Sequence, residues 1–426
     1  MNVDDDQSTY SLATRAVHAG RADLGALGVH AAPLDLSTTY PLPDVDAGGL
    51  SYEQLAGGMD CRPGQSPVYA RLWNPTVARF EEGLAELENA CGAVAFSTGM
   101  AALTAVLLGL GMQATSEGDD QRPRVLGLRP LYGGSDHLLA TGLAGTRAVF
   151  TDPSLPVPQA LAAALTPDTR LVLLETPGNP TLDLVDVAAV VEVVRARSPR
   201  ALVVVDNTFA TPVLQNPLSL GADLVLHSAT KFLGGHGDAM GGVVAVGADA
   251  QPWVARLRQV RALTGALLHP MGAYLLHRGL ATLPLRVRQQ SENAAAVAAG
   301  LSTHPGVEQV FYPGLPGADP SGVVGRQMSG TGSLLAFRVA GGFPAACQVA
   351  ASLRLVTHAV SLGGVDTLLQ HPAALTHRPV ADHAKPDAGL LRLSVGLEDP
   401  ADVLADLVQA LDRVQALDRV AVLAHA

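Results

Sequence analysis

The run Leu224-Val225-Leu226-His227-Ser228-Ala229-Thr230-Lys231-Phe232-Leu233-Gly234-Gly235-His236-Gly237-Asp238 ends an apolar strand in two hydroxyl residues, an amine and a set of glycines. Upstream the same grammar recurs. Val94-Ala95-Phe96 leads into Ser97-Thr98-Gly99-Met100 and a long Ala/Leu helix. Leu171 to Glu175 and Leu202 to Asp206 read as strands on either side of a helical pattern over 185–197, and Gly242 to Val246 reads as a further strand. Strands that are apolar throughout and separated by helices belong to a mostly parallel sheet covered on both faces, the α/β class. Ligands of such sheets bind beyond the carboxyl ends of the strands. Glu175, Asp206 and Ser228 all sit at or just past such an end, so they are expected in one site.

Outward from this core, residues 1–65 are rich in Gly, Pro, Asp and Ser and read as an extended arm. Residues 66–265 form the large domain. From residue 266 to 426 the pattern becomes a helix-rich stretch, then strands such as Leu334 to Val339 and Leu391 to Val395, then a terminal helix. This predicts a smaller C-terminal α/β domain. The sixfold-spaced repeat Gln409-Ala410-Leu411-Asp412-Arg413-Val414 and Gln415-Ala416-Leu417-Asp418-Arg419-Val420 fits no coiled coil and predicts a plain helix.

The chain has 426 residues, 48% hydrophobic and 16% charged, which predicts a globular protein of two or three packed regions. Its net charge of −11 and lack of a basic stripe argue against nucleic acid as a partner. No apolar stretch approaches the ~20 residues a membrane helix needs. The acidic start Met1-Asn2-Val3-Asp4-Asp5-Asp6 has no apolar signal region, so a cytoplasmic location is expected. Cys61, Cys91 and Cys347 match neither a zinc spacing nor a disulfide framework, and no His-Glu-x-x-His run occurs, so no catalytic metal is expected.

Only two of the 28 basic residues are lysines, and Lys231 is one of them. An amine can lose its proton and attack a carbonyl; a guanidinium cannot. Around it stand four further candidates. Gly99 and Met100 open a helix whose free N–H groups and dipole suit a phosphate, with Ser228 and Thr230 as added hydroxyl donors or as caps of their own turn. Asp206 needs a partner, which a pyridinium nitrogen or a structural cation could supply. Tyr132, before Gly133-Gly134, is a ring-stacking proton carrier or ordinary packing. Arg392 is a bidentate clamp for a carboxylate or an edge-strand charge. Together these groups specify what pyridoxal 5'-phosphate requires. A cofactor-free Schiff-base aldolase would leave the phosphate cup and Asp206 without a role, and a non-catalytic binding protein would leave the whole set without one.

Over residues 12–415 the chain resembles the Cys/Met-metabolism family of pyridoxal-phosphate enzymes, which includes cystathionine γ-synthase, the cystathionine lyases and methionine γ-lyase. The resemblance rests on Asp206-Asn207-Thr208, Ser228-Ala229-Thr230-Lys231 with Gly234-Gly235-His236, Tyr69-Ala70-Arg71 with Asn74-Pro75-Thr76, Glu175-Thr176-Pro177 with Asn179-Pro180, and Ser361-Leu362-Gly363-Gly364. It implies a fold-type I, aspartate-aminotransferase-like subunit in a homotetramer of two dimers. It implies that Lys231 carries the cofactor and acts with Tyr132 in catalysis. Gly99, Met100, Ser228 and Thr230 would bind the phosphate, with Tyr69 and Arg71 reaching it from the neighbouring subunit. Tyr132 would stack on the ring and Asp206 would pair with its nitrogen. Arg392, Ser361, Asn179 and Val360 would contact an amino-acid substrate. Methionine γ-lyases usually carry Cys where this chain has Gly134, as cystathionine enzymes do. Many cystathionine enzymes carry Glu where this chain has Val360, as methionine γ-lyases do, and Leu369-Gln370-His371-Pro372-Ala373 leans the same way. An apolar Val360 favours an uncharged thioether tail. The expectation is α,γ-elimination from methionine or homocysteine, with a cystathionine lyase or γ-replacement synthase as the alternative.

Overall fold

The computed structural model describes residues 9–112, 122–378, 380 and 385–424, with side chains through residue 416. The acidic start at residues 1–6 lies outside the described residues. Seven strands form the first sheet: β1 (Gly92–Phe96), β2 (Arg124–Gly127), β3 (Arg147–Phe150), β4 (Thr169–Glu175), β5 (Leu202–Asp206), β6 (Leu224–His227) and β7 (Gly242–Val246). Their order is β1-β7-β6-β5-β4-β2-β3. All pairs from β3 to β6 are parallel, and β7 runs antiparallel to both of its neighbours. The reversal follows from the connection. No helix intervenes between β6 and β7 to carry the chain back across the sheet, as a parallel pair requires.

Alternation explains why these strands are apolar at every position. Leu171, Leu173, Val204, Leu224 and Leu226 enter one core with the helix Gly99–Gly111. Val172, Leu174, Val203 and Val205 enter a second core on the opposite face, and Val225 enters a third with Phe80 and Leu84 of the helix Pro75–Glu88. Successive side chains of a strand point to opposite faces, so Glu175, Asp206 and Ser228 continue the face of Leu173, Val204 and Leu226. Asn207 and His227 continue the other face.

The second sheet contains β8 (Val307–Phe311), β9 (Leu334–Val339), β10 (Thr357–His358), β11 (Leu368–Gln370) and β12 (Leu390–Ser394), in the order β10-β11-β12-β9-β8. The helices Pro270–Leu280 and Leu283–Leu301 precede it, and the helix Pro400–Ala424 follows it. That last helix contains the sixfold repeat, as expected.

Residues 9–65, expected as an extended arm, are not extended throughout. They contain the helices Leu12–His18 and Val45–Ala56. Ala16 and Ala19 join the core around Phe80, and Asp23 pairs with Arg79 at 2.6 Å. Leu12–His18 has only seven residues, too few for a periodic apolar stripe to stand out in the sequence.

The candidate active site

The carboxyl ends of β1, β4, β5 and β6 open onto one cavity of about 350 Å³. Residues of the segment 360–376 and of β12 close it from the second sheet. Of the thirteen residues expected at the site, eleven line this cavity: Gly99, Met100, Tyr132, Asn179, Asp206, Ser228, Thr230, Lys231, Val360, Ser361 and Arg392. Tyr69 and Arg71 do not. Arg71 lies against the Tyr69 ring, 5.6 Å from its centroid, and donates to the Ala262 carbonyl at 2.9 Å.

Thr98 caps the helix Gly99–Gly111, its hydroxyl accepting from the Ala101 N–H at 3.0 Å. This leaves the next free N–H groups at the floor of the cavity, where they and the helix dipole favour an anion. Glycine at 99 relieves a tight contact with the turn after β6. A Cβ there would stand 3.0 Å from the Ser228 Cβ. Thr230 both donates to the Gly241 carbonyl (3.2 Å) and accepts the Gly241 N–H (3.0 Å), so its hydroxyl also ties its own turn to the start of β7. The glycines after Lys231 serve packing too. At Gly235, with φ +74°, a Cβ would stand 2.0 Å from Arg286 Nη1, and that guanidinium donates to the Phe232 carbonyl at 2.8 Å.

Lys231 Nζ donates to Ser361 Oγ at 2.7 Å. Burial, reinforced by the nearby Arg392 charge, lowers the amine to about 8. A substantial neutral fraction near neutral pH is what a nucleophilic amine needs. Ser361 holds a left-handed backbone, φ +94°, although it is not glycine. In that pose its hydroxyl faces Lys231 while its carbonyl accepts from Arg392 Nη2 at 3.0 Å.

Arg392 is 2% exposed on the interior strand β12, not a sheet-edge charge. It is held by Asn179 Oδ1 (3.0 Å) and Gln370 Oε1 (2.5 Å) besides the Ser361 carbonyl. Its Nε is buried without a protein partner. All three acceptors are neutral. A buried guanidinium held only by neutral groups retains its charge for an anionic ligand.

Asp206 accepts from the Thr208 N–H (3.1 Å) and hydroxyl (2.6 Å) through Oδ1 alone. Burial is the main influence raising its acid, and the Thr208 bonds and the His227 charge oppose it. Its cross-strand neighbour is Glu175, the in-register residue of β4. Glu175 accepts the Tyr132 N–H at 2.7 Å and is raised well above the carboxylate range, first by burial and then by the Asp206 charge. Two buried carboxyls in cross-strand register disfavour ionising together. Tyr132 begins the helix Gly133–Thr141. Its ring lies against Gly134, where a Cβ would stand 2.5 Å from the ring and 3.2 Å from Met100 Sδ.

Besides the thirteen, Glu175, which the strand-end pattern already places at the site, lines the cavity, as do Thr98, Thr208, Gln370, Thr376 and Met240, to which the sequence assigned no role. Gln370 reaches the cavity at the end of β11 as the cross-strand neighbour of Arg392, and Thr376 through the path of the loop that follows, neither of which a local pattern encodes.

The parts therefore fit a phosphorylated aromatic aldehyde. They supply an anion cup at a helix start, an amine, a carboxylate at the far strand end and a phenol ring beside them. Such a site on this doubly covered sheet defines a fold-type I pyridoxal-phosphate enzyme. Residues 13–412 match the sequence model of the Cys/Met metabolism PLP-dependent enzymes, and the chain belongs to that family. An L-methionine gamma-lyase from Brevibacterium aurantiacum is 56% identical over 96% of both chains. A cystathionine gamma-synthase from Mycobacterium bovis is 42% identical over 94% of this chain and 96% of its own. The solved structure of apo CalE6, described as a methionine gamma lyase from Micromonospora echinospora, is 39% identical, with TM-score 0.79 over 95% of this chain and 100% of that one.

Proposed function

We propose that this enzyme is a carbon–sulfur lyase that eliminates a thiol from the γ-carbon of methionine or homocysteine, with a 2-oxo acid and ammonia as the other products. The carrying observation is the charge inventory of the cavity. Its charged residues are Glu175, Asp206, Lys231 and Arg392. In this reading one serves the ring nitrogen, one the cofactor aldehyde and one the substrate carboxylate, and Glu175 is engaged by the Tyr132 N–H. None is left for the second amino and carboxyl groups of cystathionine. At the mouth stand Val360 and Met240, 55% and 67% exposed, two apolar side chains that suit a thioether tail.

Bound pyridoxal phosphate supplies a conjugated cationic ring that takes up the electrons released when a bond at the substrate's α-carbon breaks. Gly99, Met100, Ser228 and Thr230 would hold its phosphate, Asp206 would pair with the ring nitrogen, and Lys231 Nζ would be the point of attachment. Arg392, with Asn179 and the Ser361 carbonyl fixing its plane, clamps the substrate carboxylate. As a free amine, Lys231 Nζ would take the α-proton. Ser361 Oγ, 2.7 Å away, orients that amine. Tyr132 Oη gives a proton to the departing sulfur. Tyr69 and Arg71 do not line their own cavity, and in this reading they complete the phosphate site of a neighbouring subunit in a tetramer of two dimers. The division into an arm (1–65), a cofactor domain (66–265) and a C-terminal domain (266–426) belongs to the same reading. The three cysteines are unpaired, which suits a reducing, cytoplasmic setting. Among the described residues no helix is long and apolar enough to cross a membrane.

A second reading, cleavage or synthesis of cystathionine, draws support from Gly134 and from the 42% identical cystathionine gamma-synthase. Incubation with methionine, homocysteine and cystathionine, with thiol and 2-oxobutanoate measured, separates the two. Methionine is expected to yield methanethiol. Turnover of cystathionine alone would replace the first reading with the second.

A further inference from the structure

On the face of the sheet away from the cavity, the side-chain amides of Asn207, Gln215 and Gln327 form a chain that the mechanism above does not use. Asn207 follows Asp206, and its N–H donates to the Leu226 carbonyl at 2.9 Å. The backbone then passes through Thr211, whose left-handed φ of +60° a β-branched residue holds only when its surroundings impose it. From there the short helix Thr211–Leu214 leads to Gln215. At Gln215 the chain returns to its start. Gln215 Nε2 donates to Asn207 Oδ1 at 3.0 Å, and Asn207 Nδ2 donates to the Gln215 carbonyl at 2.9 Å. The same Nδ2 also donates to Glu88 Oε1 at 3.1 Å. A reciprocal pair of bonds between two buried residues therefore closes the loop 207–215.

The Gln215 Nε2 group donates as well to the Thr176 carbonyl at 3.3 Å. Thr176 follows Glu175 as Asn207 follows Asp206, so one amide ties together the residues directly behind the two carboxyls of the cavity. Gln215 Oε1 accepts in turn from Gln327 Nε2 at 2.7 Å. Gln327 lies between β8 and β9, on the way into the second sheet. Two backbone groups fix its orientation: it donates to the Val185 carbonyl at 2.9 Å and accepts the Val187 N–H at 2.9 Å. Each amide donates through its nitrogen and accepts through its oxygen, so turning any one over breaks bonds at both of its ends. A buried network satisfied in this way specifies a single geometry, and an apolar side chain in it leaves buried groups unpaired.

We propose that Gln215, held from behind by Gln327, is a positioning residue for the cofactor site: it sets the ends of β4 and β5 relative to each other, and through them the place of Asp206 in the cavity. Gln327 joins the network from 112 residues further along the chain, so the cofactor carboxylate depends on a segment that belongs to the second sheet's half of the molecule. The inference rests on Asp206 as the partner of the ring nitrogen and not on the identity of the amino-acid substrate.

The test is a double-mutant cycle between Gln215→Met and Asp206→Asn, each protein freed of cofactor and titrated with pyridoxal phosphate. Methionine keeps the length of glutamine and removes its hydrogen bonds. The readouts are the dissociation constant, the visible circular dichroism of the bound cofactor, which reports how its ring is held, and the melting temperature. Gln215→Met is expected to weaken cofactor binding about tenfold and to reduce the dichroism. In the Asp206→Asn background the same substitution is expected to change affinity by less than about twofold. Equal effects in the two backgrounds overturn the proposal, because Gln215 then does not act through Asp206. So does a lower melting temperature with affinity and dichroism unchanged, which marks a purely structural amide. If Asp206→Asn alone binds the cofactor as wild type does, the assignment of Asp206 to the ring nitrogen fails, and the inference with it. Gln327→Met, at the outer end of the network, covers a failure of Gln215→Met to fold. It is expected to move affinity and dichroism in the same direction by a smaller amount, and wild-type values in that variant overturn the proposal as well.

Discussion

In the proposed mechanism the chemistry turns on Lys231, and its environment sets when it can act. Burial and the Arg392 charge hold its amine at about 8, so the neutral form grows as pH rises through that value. In cofactor-free protein the rate of pyridoxal phosphate capture should therefore climb with pH and level off above about 8. Replacing Arg392 by Met removes a positive neighbour, which raises the amine and shifts the climb to higher pH. Stopped-flow absorbance measures both, and a pH-independent rate would remove the neutral-amine argument. At the cavity mouth, Val360→Glu should lower the preference for methionine over cystathionine by about tenfold, read as the ratio of kcat/KM values; an unchanged ratio would show that residue 360 does not sense the tail. Most of these side chains were legible in the sequence because each is chemically unusual where it stands: a rare lysine, an arginine in an apolar strand, an aspartate ending one. Glu175 differs. Its significance lies in having Asp206 as its cross-strand neighbour, and pairing between strands is not written in either strand.

At the scale of elements, apolar runs ending in polar residues were enough to find β4, β5 and β6 and the edge they share. The reversed direction of β7 was not, because Gly242 to Val246 reads the same in either direction. Its start is tightly constrained. A Cβ at Gly242 would stand 2.1 Å from the Thr98 carbonyl, and the Thr98 hydroxyl caps the helix that forms the anion cup. Gly242→Ala should cost about 1–3 kcal/mol of stability and weaken phosphate binding together with it, read as a fall in melting temperature and in affinity for inorganic phosphate. A variant with wild-type values in both would mean that the junction yields without strain. The short helix Leu12–His18 was missed for a different reason. Its place is fixed by Ala16 and Ala19 meeting the core around Phe80, a contact made far along the chain.

The whole molecule joins two sheets around one cavity, and Arg392, the proposed substrate clamp, reaches it from the second. Arg392 contacts Asn179 across 213 residues of sequence, so neither half carries a complete site. Tyr69 and Arg71, which do not line that cavity, motivate the proposed sharing between subunits. Mixing and refolding Lys231→Ala with Arg71→Ala subunits should restore about a quarter of wild-type activity, because half of randomly paired dimers then hold one intact site of two. No recovery would confine each site to its own chain. The account as a whole depends on where the cofactor is attached, and this chain offers only two lysines, Lys231 and Lys385. Borohydride reduction of the pyridoxal phosphate-loaded protein, followed by peptide mass mapping, reads that attachment directly: a pyridoxyl group on the peptide carrying Lys231 is predicted, and a modification found only at Lys385, or none at all, would contradict the account.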